Sequence, residues 1–350
     1  MLTDIRIEGF RGIRNIELNK LHPVNLIIGE NNTGKTSVLE AIQLLKGPDV
    51  LSSLYQVSNI RDNPVREPFM RTRMGLSDLI TYSFNDWNHP NMIVRGHDTR
   101  YGDICAEIEG EVYEYISREP SRYGEYDDEG FERTFRGAFR YDYQGDGQWF
   151  SFDLGEERRI RRNREILIHM VYLNSISSQV QLSSVKSMYN ALRVSEKDEL
   201  IQLLQYFDQR IVGMERVSSE GRMITFLELD DGQLMPLSAF GDGIKKVLAI
   251  ANAVVKAKGG VVLVDEFETG IHKKALSAVT EWLYMIAGER ETQVFLTTHS
   301  EDALGALIDV ERSDDMLSIY RLEHYQDSIY VKQFAGEKLR EIRRWGTDIF

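Results

Sequence analysis

The sequence predicts an α/β fold in which a parallel sheet is covered by helices on both faces and is joined to an antiparallel β region. In the last third of the chain, the apolar runs 261–264 and 294–298 alternate with helical patterns that begin near residues 244 and 273. A further apolar run at 24–28 is followed by a glycine-rich loop and a helical pattern. Strands that are apolar throughout, and not only at every second residue, are typical of doubly covered parallel sheets.

The rest of the chain supplies the other elements of this fold. Short strands are predicted at 2–7 and 15–18, around a turn at 10–12. Aromatic and β-branched runs between about 92 and 154, separated by Gly and Asp, predict antiparallel strands. Helical periodicity returns between 183 and 211 without sustained heptads, so we expect ordinary helices and no long coiled coil.

We predict a single domain over residues 1–350. It comprises a β-rich lobe at 1–155, a helical lobe at 156–310, and C-terminal strands with a candidate docking segment at 311–350. A chain of 350 residues can bury a sizeable core without stabilising disulfides or metal ions. Its one cysteine, Cys105, excludes an internal disulfide. The first residues mix acid and base, and no apolar run approaches membrane-spanning length. We therefore expect a cytoplasmic protein with no membrane partner.

Residues 29–36 fit the pattern G-x-x-x-x-G-K-[ST], whose backbone N–H groups surround phosphate oxygens. The pattern lies between a predicted strand and a predicted helix, which is the context that the motif requires. Lys35 is the candidate for bridging the β- and γ-phosphates, and Thr36 is a candidate Mg²⁺ ligand. An accidental glycine turn is the alternative. The candidate nucleotide-binding residues lie in this loop or in the helical turn after it: Gly29, Asn31, Asn32, Thr33, Gly34, Lys35, Thr36 and Ser37.

Two acids follow the apolar run 261–264. Adjacent carboxylates at the end of a doubly covered strand are costly without a cation. Asp265 is therefore a candidate for orienting Mg²⁺ through its water shell, and Glu266 for polarising the attacking water; an ordinary solvated acidic loop is the alternative.

A histidine, His299, follows the next apolar run. Neighbouring parallel strands end at one edge of a sheet, so we expect His299 to lie near the phosphate loop and the two acids. Taken alone, a histidine such as His299 is more often structural than catalytic.

A fourth segment, 237–243, stands directly before a helix whose apolar face includes Ile244, Val247 and Leu248. A hydroxyl and flexible glycines at a helix start can bind an anion. They can also form an ordinary N-cap.

In this order, the four segments resemble the motifs of the ABC ATPase family: Walker A at 29–36, signature at 238–243, Walker B at 261–266 and the switch histidine at 299. The resemblance implies an ATPase that dimerises head to tail around two ATP-Mg²⁺, with Glu266, His299 and Lys35 as catalytic residues. Ser238 and Gly241 of one protomer would then complete the γ-phosphate site of the other.

The amino-acid sequence in and around these motifs is distinctive in four stretches: IEGFRG at 7–12, IGENNTGKTS at 28–37, DEFETGIH at 265–272 and TTHS at 297–300. These stretches are similar to ATPases of the overcoming-lysogenization-defect (OLD) type, within the wider SMC/RecF-like branch and common in bacterial anti-phage systems. This resemblance implies that Arg11 contacts the nucleotide.

The chain also departs from these relatives. Residues Ala239 and Phe240 interrupt the tighter signature of transporter ATPases, which argues against a transporter. The chain ends about fifty residues after His299, so we expect no Toprim nuclease domain of the OLD type. Candidates for the Q-loop glutamine have no deciding context: Gln56, Gln179 and Gln181.

Two functions are compatible with these observations. The first is a homodimeric or larger ATPase subunit that regulates a separate effector, a nuclease, in anti-phage defence. The second is a RecF-like DNA-binding ATPase in recombinational repair. A net charge of −13 opposes broad binding to nucleic acid. The basic run 158–164 is either a solvated face or a contact for nucleic acid or an acidic partner. The basic run 338–345 is either a docking helix for a nuclease or effector subunit or a segment that covers the edge of the sheet.

Overall fold

A computed structural model gives the fold of the protein. It describes most of the chain, with gaps between ten stretches: residues 1–62, 80–117, 130–154, 165–174, 182–219, 222–310, 315–326, 328–336, 338–339 and 341.

The described residues form three sheets and seven α-helices. The strands in chain order are β1 (Leu2–Phe10), β2 (Ile13–Leu18), β3 (Val24–Ile28), β4 (Asn91–Asp98), β5 (Gly102–Ser117), β6 (Gly130–Tyr143), β7 (Gln148–Asp153), β8 (Met170–Leu173), β9 (Ile211–Ser219), β10 (Arg222–Leu229), β11 (Leu234–Pro236), β12 (Val261–Val264), β13 (Gln293–Thr297), β14 (Leu317–Tyr325) and β15 (Ser328–Ala335). The helices are α1 (Lys35–Ile42), α2 (Val50–Asp62), α3 (Leu182–Ala191), α4 (Val194–Gln205), α5 (Asp242–Lys256), α6 (Lys273–Glu289) and α7 (Glu301–Val310).

The central sheet has the strand order β15-β14-β3-β13-β12-β8, and all its pairings are parallel except that of the edge strand β15. Alternate residues of its strands face two separate cores. In β12, Val262 and Val264 join the core that contains α5, α6 and α7, while Val261 and Leu263 face the core of α1, α2 and the antiparallel sheet. Both faces are therefore buried, which explains why these strands are apolar at every position.

The second sheet is antiparallel throughout, with the order β2-β1-β4-β5-β6-β7. One of its faces packs on the central sheet's core through residues such as Ile7, Val94 and Ile108. The opposite face carries charged cross-strand pairs, including Arg6 with Glu17. This alternation of apolar and polar residues is typical of a sheet with one solvated face. The predicted α/β fold with its antiparallel β region is confirmed.

Several elements were predicted with nearly the observed bounds, and others were missed. The runs 24–28 and 261–264 coincide with β3 and β12. The short strand β8 and the three-stranded sheet β11-β10-β9 were not predicted. β8 has only four residues at a sheet edge, and β9 mixes apolar residues with Gly, Glu, Arg and Ser, so neither has a strong hydrophobic period.

The predicted lobes share the central sheet. Span 1–155 provides β3, span 156–310 provides β8, β12 and β13, and span 311–350 provides β14 and β15. The division of the chain into lobes stays a prediction. Across the described stretches, we find no helix with the length and apolarity needed to cross a membrane.

Candidate functional site

The candidate site lies at one edge of the central sheet, where parallel strands end. The phosphate loop 29–36 follows β3, Asp265 follows β12, and His299 comes two residues after the end of β13. The strands β3, β13 and β12 are consecutive neighbours in the sheet. The expected convergence of these segments at a carboxyl edge is therefore present, at the position where open α/β sheets bind ligands.

The phosphate loop is tightly constrained by its surroundings. Gly29 has a positive φ of 144°, and a Cβ at this position would lie 2.5 Å from the carbonyl oxygen of Leu322 on β14. The Thr33 hydroxyl donates to the Glu30 carbonyl at 2.9 Å, which closes the loop from within. Outside the loop, His324 Nε2 lies 3.0 Å from the Asn32 carbonyl oxygen. The loop is thus held by an internal hydrogen bond and, on the side of β14, by the His324 side chain and the close backbone approach at Leu322.

Lys35 begins α1 and folds back over the loop. Its ammonium group donates to the carbonyl oxygens of Gly29 and Glu30, both at 2.7 Å. Burial lowers the pKa of Lys35, although nearby Asp265 and Glu266 oppose this shift. The N-terminus of α1 has no capping side chain and no acid in its first turn, so its backbone donors are suited to an anion.

The other candidate loop residues divide by exposure. Asn31 and Asn32 are exposed, and they offer side-chain amides at the mouth of the loop. Thr33 and Ser37 are buried, at 3 % and 7 % exposure.

Thr36 and Asp265 are brought together by the fold. The Thr36 hydroxyl donates to Asp265 Oδ2 at 3.0 Å and lies 3.2 Å from Oδ1. Asp265 is 5 % exposed. A hydroxyl and a carboxylate oxygen are hard donors of the kind that Mg²⁺ prefers, so this pair fits the predicted metal role.

Thr297, at the end of β13, connects the two acids. Its hydroxyl donates to Asp265 Oδ1 at 2.5 Å and accepts the backbone N–H of Glu266 at 2.8 Å. The residue is fully buried. Glu266 adopts a left-handed backbone with φ 46°, a conformation that non-glycine residues rarely take and that concentrates at functional sites. Thr297 therefore fixes both Asp265 and the backbone that presents Glu266.

His299 lies next to a third acid, Glu268. The backbone N–H of His299 donates to Glu268 Oε1 at 3.3 Å, and His299 Nδ1 lies 3.5 Å from the same oxygen. The His299 side chain is 51 % exposed, whereas that of Glu268 is 10 % exposed. The histidine ring is thus half exposed at the sheet edge, next to a carboxylate that is largely enclosed.

A buried lysine connects α5 to this edge. Lys246 is 1 % exposed, and its ammonium donates to the backbone carbonyl of Asp265 at 3.3 Å. Burial lowers its pKa against the opposing charges of Asp265, Glu268 and Glu266.

Ser238 and Gly241 are both exposed at the start of α5. Ser238 lies in a short 3₁₀ turn at Leu237–Ala239, and Gly241 is the N-cap of α5 with no capping side chain. Gly241 and Asp242 line a cleft of about 400 Å³ with Phe207 and Gly270. In the described part of the chain, the lining of this cleft includes no residue of the loop 29–36.

Arg11 is held away from solvent in this structure. Its guanidinium forms an ion pair with Glu40 on α1, and the two side chains are 12 % and 0 % exposed. Arg11 also has a left-handed backbone, with φ 50°. Its predicted contact with the nucleotide stays a prediction, and its observed contact braces the helix that follows the phosphate loop.

Some predicted features fall outside the described residues. These are Gln179, Gln181, the basic run 158–164 and most of the run 338–345. Gln56 is described, and it is exposed on α2.

Sequence reasoning assigned no role to Thr297, Glu268 or Lys246. Thr297 and Glu268 stood inside stretches that carried the family resemblance, and a hydroxyl in an otherwise apolar strand was the available signal. Lys246 gave no signal, because a charged residue within a helical pattern is normally assigned to the solvent side.

Comparisons with known proteins agree with this geometry. Residues 106–304 match the family model described as "AAA domain, putative AbiEii toxin, Type IV TA system", and residues 1–136 match the model "AAA ATPase domain". An ATP/GTP phosphatase of Helicobacter pylori is 22 % identical over a 379-residue alignment that covers 97 % of each chain.

Two further comparisons concern SMC/RecF-like proteins. The DNA replication and repair protein RecF of Shewanella baltica is 50 % identical over 44 residues, which cover 13 % of this chain and 12 % of RecF. The crystal structure of an SMC head bound to the C-winged helix domain of ScpA has a TM-score of 0.56, at 11 % identity, and covers 97 % of this chain and 99 % of the SMC head. At this identity the likeness shows the fold, and it confirms the predicted ABC-type head.

The chain is therefore an ATPase with an ABC/SMC-like fold, as the matched families, the SMC-head-like fold and the position of the phosphate loop all indicate. It belongs to the family of AAA domains described as putative AbiEii toxin, Type IV TA system.

Proposed function

We propose that the chain hydrolyses ATP with Mg²⁺ between two copies of itself, and that the resulting opening and closing regulates a separate effector. The observation that carries the ATPase site is the hydrogen-bonded series Thr36, Asp265, Thr297 and Glu266 beside the phosphate loop. Its hydrogen bonds join the candidate metal ligands, Thr36 on α1 and Asp265 after β12, to Thr297, which also accepts the backbone N–H of the candidate base Glu266.

Each residue of the site has a role in this proposal. Lys35 leaves the carbonyl oxygens of its own loop and donates to the β- and γ-phosphates. Thr36 and Asp265 hold Mg²⁺, which when bound neutralises charge on the phosphate oxygens. Glu266 orients and polarises the attacking water, and His299 contacts the γ-phosphate from the end of β13.

The second copy completes the site through Ser238 and Gly241. Both residues are exposed at or before the N-terminus of α5, which has no capping side chain. Its first turn carries one acid, Asp242, which is paired with Lys245 at 3.3 Å. In the described residues, the cleft at this helix start is separate from the phosphate loop of the same chain. A head-to-tail dimer lets the segment around Ser238 of one copy face the γ-phosphate held by the other.

The effector in this proposal is a nuclease on another polypeptide, in a bacterial anti-phage system, and the complex is cytoplasmic. This proposal is supported by the similarity of residues 28–37, 265–272 and 297–300 to the sequences of OLD-type ATPases. Co-purification of the tagged chain from its native host tests this part, with a nuclease as the expected partner. Recovery of the chain alone under conditions that preserve complexes contradicts it.

A second candidate function is supported by the local identity to RecF and by the SMC-head fold. In this alternative, ATP gates binding of DNA during recombinational repair. DNA binding by the purified protein, weakening steeply with salt in the presence of ATP, favours the alternative. Binding that is absent at low salt favours the effector model.

Two variants test the ATPase site directly. We expect Lys35→Ala to lose hydrolysis, because the phosphates lose their bridging cation. We expect Glu266→Gln to bind ATP without turning it over and to elute as a dimer or larger assembly in size-exclusion chromatography with light scattering. A Glu266→Gln protein that stays monomeric at saturating ATP contradicts the dimer.

A further inference from the structure

A carboxylate without an assigned role, Glu268, lies beside the candidate catalytic histidine. Glu268 follows the strand β12 by four residues, and His299 follows the neighbouring strand β13 by two. The contact between them therefore joins the two segments that leave the sheet next to each other. One oxygen of Glu268, Oε1, faces both the backbone N–H and the ring Nδ1 of His299, at 3.3 Å and 3.5 Å.

The burial of Glu268 is unusual for a carboxylate. Its side chain is 10 % exposed, and its second oxygen, Oε2, is buried with no hydrogen-bond partner in the described part of the structure. The ammonium groups of Lys246 and Lys35 interact favourably with its charge, which offsets part of the cost of burying a carboxylate. Its hydrogen bond, by contrast, is accepted through Oε1 from His299, so this contact gives Glu268 a specific orientation toward the histidine.

The two side chains of the contact are unequal. His299 is half exposed in the segment that follows β13. Glu268 is enclosed and gives the ring a fixed anionic neighbour. A carboxylate beside Nδ1 favours the ring orientation in which Nδ1 faces it, which leaves the opposite nitrogen, Nε2, to face a substrate.

We propose that Glu268 is a positioning residue that orients His299 toward the terminal phosphate of the bound nucleotide. This inference rests on the proposed function, because it assigns Glu268 an effect only through His299. It differs from the role of Glu266, which acts on the attacking water. It also explains why a third acid follows Asp265 and Glu266 in the same short segment.

A double-mutant cycle tests the inference. We expect Glu268→Ala to lower kcat for ATP hydrolysis by about 10- to 100-fold, as misplacement of a catalytic group does, with a KM change below about 3-fold. We expect His299→Ala to lower kcat by a similar factor. Because Glu268 acts through His299, the double variant should have the kcat of His299→Ala within about 2-fold.

A conservative variant separates positioning from folding. Glu268→Gln keeps an oxygen that accepts the His299 N–H but removes the negative charge beside the ring, so its kcat should lie between those of wild type and Glu268→Ala. Its melting temperature, measured beside kcat, separates a loss of positioning from a loss of folding, because Gln also removes the charge that Lys246 and Lys35 face. Should Glu268→Ala not fold, the cycle is run with Glu268→Gln. Glu301→Gln, an exposed acid two residues after His299, is the matched control and should hydrolyse ATP as wild type does.

The outcomes distinguish a failure of the positioning role of Glu268 from a failure of the proposed function. Losses in kcat that multiply in the double variant, or wild-type kcat in both Glu268 variants, overturn the positioning role and leave the ATPase site intact. A His299→Ala protein with wild-type kcat overturns the role of the histidine itself, and with it the role of Glu268.

Discussion

Removing the Thr297 hydroxyl should damage both stability and catalysis. Thr297→Val keeps the shape of the side chain but takes a donor from Asp265 Oδ1 and an acceptor from the Glu266 N–H. A hydrogen bond to a charged group contributes about 1.5–3 kcal/mol, and an unpaired buried N–H costs about 1 kcal/mol or more. Thr36 still donates to Asp265, so we expect a total loss of about 2–4 kcal/mol in the free energy of unfolding.

The same substitution should slow hydrolysis, because Glu266 loses the contact that fixes its left-handed backbone. We expect kcat to fall about 10- to 100-fold. The control is Thr297→Ser, which keeps the hydroxyl and removes one methyl group, at a cost of about 1 kcal/mol. Urea unfolding followed by tryptophan fluorescence and steady-state phosphate release measure the two effects. Equal stability and equal kcat in the Val and Ser variants would refute the assigned role of Thr297.

Two further predictions concern contacts outside the phosphate-loop site. The Arg290 guanidinium donates to buried Glu196 at 2.9 Å; burial favours a higher pKa for Glu196, but hydrogen bonds from the Arg193 backbone and from Arg290 outweigh it and hold the pKa below 4.5. Arg290→Met should therefore lower the free energy of unfolding, measured in urea at pH 7, by about 2–3 kcal/mol. This loss should shrink as the pH falls below 4.5, because Glu196 then takes up a proton. A loss that is constant with pH contradicts this. Gly243→Ala places a Cβ 2.7 Å from the Gly270 carbonyl and should lower the melting temperature, whereas Gly241→Ala, with no atom within 4 Å of the new Cβ, should melt as wild type does.

The central sheet could be predicted because both of its faces are buried. β3 and β12 are apolar at every residue and are bounded by loops, so their position follows from hydrophobicity alone. β8 could not be predicted in this way, since it is a four-residue edge strand whose partner, β12, lies ninety residues away in the chain. Its assignment depends on long-range pairing that no local pattern encodes.

The part of the candidate site that could be predicted is the part formed by particular residue types at a fixed spacing in the sequence. The phosphate loop, Asp265 and His299 met this condition, and the parallel sheet implied that they meet at one edge. Thr297 and Lys246 did not meet it, because their roles arise from contacts across the fold with Asp265. Only the three-dimensional structure shows a hydroxyl within a strand, or a lysine within a helix, facing the same carboxylate segment.

The most direct test of the central claim is complementation between two inactive variants. Lys35→Ala removes the phosphate-binding lysine, and Gly241→Asp places a charge where the partner's γ-phosphate should lie. In a mixed dimer, one of the two sites combines wild-type Lys35 from one copy with wild-type Gly241 from the other. After equal mixing and exchange, we expect about one quarter of wild-type ATPase activity. A mixture no more active than the mean of the two variants alone would contradict a site shared between copies.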